Sequence, residues 1–141
     1  MNKQRSNEKG FTMVELIIVV AIMGIIGALL VPAFGTMSMK ARISTDIATT
    51  KTIKRTAEAF KAEQGSWPAA TNLAGLSTSF STSNYFEATM KLQVPGADIS
   101  FDSATGAMKL NLAGATDAAG AKKALSQIDA STRSEWVVPP S

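Results

Sequence analysis

From Phe11 to Phe34 the chain reads FTMVELIIVVAIMGIIGALLVPAF, an apolar run broken by one charge, Glu15. Those 24 residues make a helix about 36 Å long at ~1.5 Å per residue, against a hydrocarbon core of roughly 30 Å. The run can therefore span a bilayer with some tilt. It exceeds the ~7–15-residue core of a secretory signal, and no clear small-x-small cleavage site follows it. One segment of the chain is thus predicted to live in lipid, and the rest must build its fold beyond it. With 45% hydrophobic residues the chain is not disordered, and zero Cys and zero His exclude a disulfide-stapled or soft-metal domain. Absence of Cys leaves the redox compartment open.

Details of the run distinguish it from a plain anchor. A charged residue at the centre of a span costs roughly 2.5–3.5 kcal/mol on insertion scales, and less near an end. Glu15 gains nothing for that cost unless an assembly supplies a cation. Without one it is expected to be unpaired or protonated in the bilayer, or to snorkel toward the headgroups. Gly10 closes a short basic leader directly before Phe11. Gly24 and Gly27 weaken the helix, and Pro32 leaves the carbonyl of Ala28 without its helical donor. The helix is expected to be weak over residues 24–32, able to bend or melt when its surroundings change.

The stretch KGFTMVELIIVVAIMGIIGALLVPAF resembles the amino terminus of the type IV pilin and pseudopilin family. The likeness is close over residues 1–34 and one of pattern over 35–64. It implies cleavage between Gly10 and Phe11 by a prepilin peptidase in the membrane, followed by N-methylation of the new Phe11 amine. It implies that Glu15 is the assembly glutamate and Pro32 the helix-kink proline. An inner-membrane assembly platform and other copies of the same chain, in a helical filament, are the implied partners.

Elementary electrostatics agrees with the Glu15 role. After cleavage Phe11 carries an amino-terminal cation, one helical turn from Glu15. A neighbouring copy shifted by about a turn would set its Phe11 amine against this carboxylate. In low dielectric such pairing is strong and mismatch costly, which gives register to an otherwise featureless interface. Lys and Arg flank both ends of the span, so their count does not set orientation. The resemblance does: leader in the cytoplasm, a single-pass precursor in the cytoplasmic (inner) membrane, and a carboxy-terminal domain that reaches the cell surface in a filament.

The expected fold class is α+β. A long helix over about 11–64 divides into a transmembrane half, 11–34, and an amphipathic half, 35–64, after a leader of 1–10. The globular head takes 65–141, with an antiparallel sheet of three or four strands. Ile43, Ile47, Thr50, Ile53, Ala57 and Phe60 follow one another at spacings of three or four, one stripe along the helix. Gly65 supplies a stop and Trp67-Pro68 a turn. A short helix fits within 66–86, where Phe80, Tyr85 and Phe86 are candidate anchors. Period-two alternation predicts strands over about 87–94, 98–102 and 107–112. Ala121, Ala124, Leu125 and Ile128 predict a helix over 117–130, capped by Thr116 or Asp117. Trp136, Val137 and Val138 read as an edge strand ended by Pro139-Pro140. The head is small for a self-sufficient core, so the stripe of the long helix is expected to serve as its spine.

The net charge of +3 divides unevenly: residues 1–10 carry +2, 11–34 carry −1, 35–64 carry +3 and 65–141 carry −1. A contact of the basic helix face with DNA or acidic lipid competes with a solvated face in which Lys54 pairs with Glu58. Nucleic acid is not the expected main partner. No P-loop or G-x-S-x-G motif occurs, and His and Cys chemistry is absent. The reading is of a structural protein, not an enzyme, with no cofactor and no metal. Asp98, Asp102, Asp117 and Asp129 could collect calcium only outside any EF-hand pattern, and turn or cap roles explain them better. Met13, Met23, Met37, Met39, Met90 and Met108 read as packing residues. The leading expectation is a pilin. The alternatives are a pseudopilin of a type II secretion or DNA-uptake system, and a signal-anchored binding domain that never assembles.

Overall fold

The computed structural model describes residues 10–85 and 90–141, apart from the side chains at 32 and 33. The chain divides into two compact units between Phe34 and Gly35. One helix, α1 (Met13–Gln64), supplies the regular structure of the first unit and continues into the second. It ends where the sequence predicts: Gly65 takes a φ of +77° and donates its N–H to the carbonyl of Lys61 at 2.9 Å.

In the first unit α1 is apolar on every side, and its large side chains, from Val14 to Phe34, are exposed within the chain. It is long and apolar enough to cross a membrane. The helix runs without interruption through Gly24, Gly27 and Pro32.

The second unit is built around the later turns of α1. Ile43, Ile47, Thr50, Ile53 and Ala57 are buried, as the stripe predicts, and Phe60 is half-buried. The stripe feeds two clusters. Ile43 and Ile47 pack with Val94, Leu110, Leu112 and Leu125. Ile53 and Ala57 pack with Leu76, Phe80, Ile99, Phe101 and Met108. Helix α2 (Leu73–Thr82) covers the second cluster and is capped by Asn72, whose Oδ1 accepts the Gly75 N–H at 2.9 Å. Phe60, Phe80 and Tyr85 gather there with ring centroids 5.7 to 6.3 Å apart. Phe86 lies outside the described residues.

Strands β1 (Asp98–Phe101) and β2 (Met108–Asn111) pair antiparallel, with Ile99 opposite Leu110 and Phe101 opposite Met108. Their alternation puts Ile99, Phe101, Met108 and Leu110 inside. The turn between them is set by Asp102, which accepts from the Ala104 N–H and the Thr105 hydroxyl, and by Gly106 at φ +75°. A Cβ on Gly106 would lie 2.2 Å from Cζ2 of Trp67, so the indole requires glycine there.

Helix α3 (Ala118–Leu125) is capped by Asp117, as predicted, with Oδ1 accepting the Gly120 N–H at 2.8 Å. The expected single helix over 117–130 is not what forms. Asp129 starts a new helix, α4 (Ala130–Trp136), by accepting the N–H groups of Ser131 and Thr132, while Arg133 donates to the carbonyl of Leu125 at 3.0 Å and closes the end of α3. Trp136 therefore belongs to α4, and β3 is only Val137–Val138.

Two further expectations change. Residues 87–89 of the predicted strand 87–94 lie outside the described residues, and 90–94 form no strand. The burial alternation is present, since Met90, Leu92 and Val94 turn inward. The backbone is engaged elsewhere. Asp46 of α1, wholly buried, accepts the Gln93 N–H at 2.7 Å and the Val94 N–H at 2.9 Å. Those donors are unavailable to a ladder. The three-stranded sheet is also mixed: β3 lies parallel to β2, with Leu110 opposite Val137. The chain returns to the sheet through α3 and α4, and a crossover of that length permits parallel pairing where a tight turn does not.

Candidate assembly site at the start of the long helix

The candidate site begins outside regular structure. Gly10, Phe11 and Thr12 precede the helix, and Phe11 is 82% exposed. The Gly10–Phe11 bond thus lies in accessible, non-helical chain, a geometry that a peptidase can engage. Among the described residues, a Cβ on Gly10 would meet nothing within 4 Å. The same holds for Gly24 and Gly27.

Thr12 and Glu15 form a capping box. The Thr12 N–H donates to Oε2 of Glu15 at 3.0 Å and the Thr12 hydroxyl donates to the same oxygen at 2.9 Å. In return Thr12 Oγ1 accepts the Glu15 N–H at 3.2 Å. Glu15 is therefore hydrogen-bonded within its own chain, by a neighbour that brings no positive charge. A negative side chain in the first turn also complements the helix dipole. The signal was available in the sequence as T-x-x-E at residues 12–15, immediately before an apolar run.

Pro32 continues the helical backbone, and its lack of an N–H deprives Ala28 of a donor whatever its surroundings. Phe11 lies at the entry of one continuous helix that contains Glu15, Gly24, Gly27 and Pro32.

Other candidate chemistry is absorbed by the fold. The lysines of the basic helix face sit over an indole: Lys51 Nζ and Lys54 Nζ lie 5.1 and 5.2 Å from the ring centroid of Trp136. Lys61 Nζ lies 4.4 Å from that of Trp67. Asp98 accepts from the Leu73 and Ile99 N–H groups, and Asp102, Asp117 and Asp129 hold turns and caps. Among the described residues no three acidic groups gather as a metal site. The Thr105 hydroxyl and then the Ala104 N–H hold Asp102 below the usual carboxylate range. The Ser131 hydroxyl and then the Thr132 N–H do the same for Asp129. Met39, Met90 and Met108 pack in the core of the second unit, and Met13, Met23 and Met37 are exposed along α1.

Comparison with known proteins addresses the amino-terminal half. Residues 5–31 match the family model described as the prokaryotic N-terminal methylation motif. A fimbrial protein of Neisseria meningitidis serogroup B is 36% identical over 72 residues, which cover 51% of this chain and 42% of that protein. The type IV major pilin protein PilE of Neisseria gonorrhoeae is 31% identical over 86 residues, covering 61% of this chain and 52% of that protein. Fimbrial protein EcpC of Eikenella corrodens is 33% identical over 69 residues, covering 49% and 45%. The chain thus spans about half the length of the curated relatives it matches. No solved structure matches the chain. With Phe11 at an accessible bond, Glu15 capped at the entry of an exposed apolar helix and a matching motif over residues 5–31, the amino-terminal segment of this chain carries the prokaryotic N-terminal methylation motif and is similar to that of type IV pilins.

Proposed function

We propose that this chain is a structural subunit of a type IV pilus-like filament, assembled from copies of itself through the apolar part of α1. The observation that carries the proposal is the join at residues 10–15: an accessible Gly10–Phe11 bond followed directly by a capped glutamate on a helix whose every face is apolar. A prepilin peptidase removes the leader at Gly10, and the new Phe11 amine is methylated. The precursor waits in the cytoplasmic membrane, and an assembly platform there draws subunits into the filament. The amine of one subunit meets Glu15 of its neighbour, so that two charges that are costly in lipid neutralise each other. The weak stretch around Gly24, Gly27 and Pro32 relaxes once the helix leaves lipid for the filament core. Relatives named as fimbrial proteins and a major pilin support a filament subunit, and a pseudopilin of a secretion or DNA-uptake system is the alternative reading.

The test combines processing with microscopy. The mature protein should begin at Phe11 by amino-terminal sequencing, and antibody to residues 65–141 should decorate surface filaments. Glu15→Ala should leave insertion and cleavage intact and lower filament yield at least tenfold. A mature protein beginning at Met1 or beyond Phe34 would overturn the reading, as would filament-free cells that process the chain normally.

A further inference from the structure

Thr12 stands between the two groups that the assembly contact uses, the residue 11 nitrogen and the Glu15 carboxylate. Both of its donors, N–H and hydroxyl, reach the same oxygen, Oε2, at 3.0 and 2.9 Å. Among the described residues Oε1 takes part in no hydrogen bond. A carboxylate offers about four lone-pair sites, so the cap leaves capacity for another donor. An unrestrained glutamate near the end of a span would send its head toward the lipid headgroups. The cap instead ties it to the first turn of its own helix, next to the chain start.

We infer that Thr12 is the positioning residue of the subunit contact: its N–H and hydroxyl hold one oxygen of Glu15 so that the other faces the residue 11 ammonium of a second copy. Capping and pairing are then simultaneous, not competing. The contact loses less rotamer freedom when it forms, because Glu15 is already held. The hydroxyl is the part of Thr12 that a substitution can remove. Valine keeps the β-branched shape and the backbone N–H but loses both hydrogen bonds of Oγ1. Serine keeps them. The inference rests on the proposed filament contact, and its test separates the two.

The experiment uses the full chain in its own cells, carrying Thr12→Val, Thr12→Ser, Glu15→Ala or Thr12→Val with Glu15→Ala. Each variant is expressed beside the wild-type chain. Amino-terminal sequencing reports cleavage, and the variant-to-wild-type ratio in sheared filaments, relative to the membrane pool, reports incorporation. All variants should be cleaved at Gly10. Thr12→Ser should incorporate within about twofold of wild type and Thr12→Val about fivefold less, the factor expected for loss of a helix cap. Adding Thr12→Val to Glu15→Ala should change nothing further. Normal incorporation of Thr12→Val beside defective Glu15→Ala would overturn the role of Thr12 and leave the Glu15 contact standing. So would an equal loss from Thr12→Val in both backgrounds, or failure of Thr12→Val to be cleaved. Normal incorporation of Glu15→Ala would instead overturn the proposed contact itself.

Discussion

Asp46 and Gly106 carry the second unit at the level of single residues. Asp46 has no exposed surface, and both of its oxygens accept backbone N–H groups from the segment before β1. Asparagine would keep one acceptor and set an amide donor against the other N–H. Asp46→Asn should therefore destabilise a fragment beginning near residue 36 by about 1–3 kcal/mol, the usual cost of a buried unsatisfied group, read as a shift in urea midpoint. An unchanged midpoint would mean that water or a neighbour replaces the carboxylate. Gly106→Ala meets both a left-handed backbone and the Trp67 ring. It should cost about 2 kcal/mol or more, and Trp67→Leu in the same chain should recover part of the loss. Neither Asp46 nor the Trp67 contact was legible in the sequence, because each joins positions far apart along the chain. The T-x-x-E cap at Thr12 and Glu15 is a local pattern, its partners three residues apart, that the sequence reading missed.

The long helix, its stop at Gly65, the buried stripe from Ile43 to Ala57 and the β1–β2 pair follow from periodicity, which reports which side chains turn inward. Periodicity does not report where backbone donors go. Residues 90–94 alternate in burial like a strand, yet Asp46 takes two of their N–H groups. The helical spacing from Ala121 to Ile128 is real, yet Asp129 caps a second helix and breaks the first. These caps make the elements acid-sensitive. Asp102 and Asp129 are held below their ordinary titration range, so they favour the fold above the unfolded carboxylate value of about 3.9 and lose that advantage as pH falls through their folded values. Thermal stability of the same fragment should hold from pH 7 to about pH 5 and fall below about pH 4. Asp102→Asn with Asp129→Asn should flatten that acid limb. A limb unchanged by the double substitution would place the acid sensitivity elsewhere.

For the whole molecule, the division at Phe34 separates an exposed apolar helix from a unit with its own core. The second unit buries residues of α1 in both of its core clusters, so it should fold when it begins near residue 36 and fail when it begins near residue 66. Cooperative melting by the shorter fragment would contradict the placement of the core. The first unit leaves its apolar surface bare within the chain, and in the proposed filament lipid and then other copies cover it. In the proposed filament, the capped glutamate gives that greasy surface a preferred register. The most direct measurement of this claim uses filaments assembled from two batches of subunits, one isotopically labelled at the Phe11 amine nitrogen and the other at the Glu15 carboxyl carbon. Solid-state dipolar coupling between the labels reports contact across subunits alone. The account predicts a coupling that corresponds to about 4 Å, the range of an ion pair. Coupling seen only when both labels lie in the same chain would contradict it.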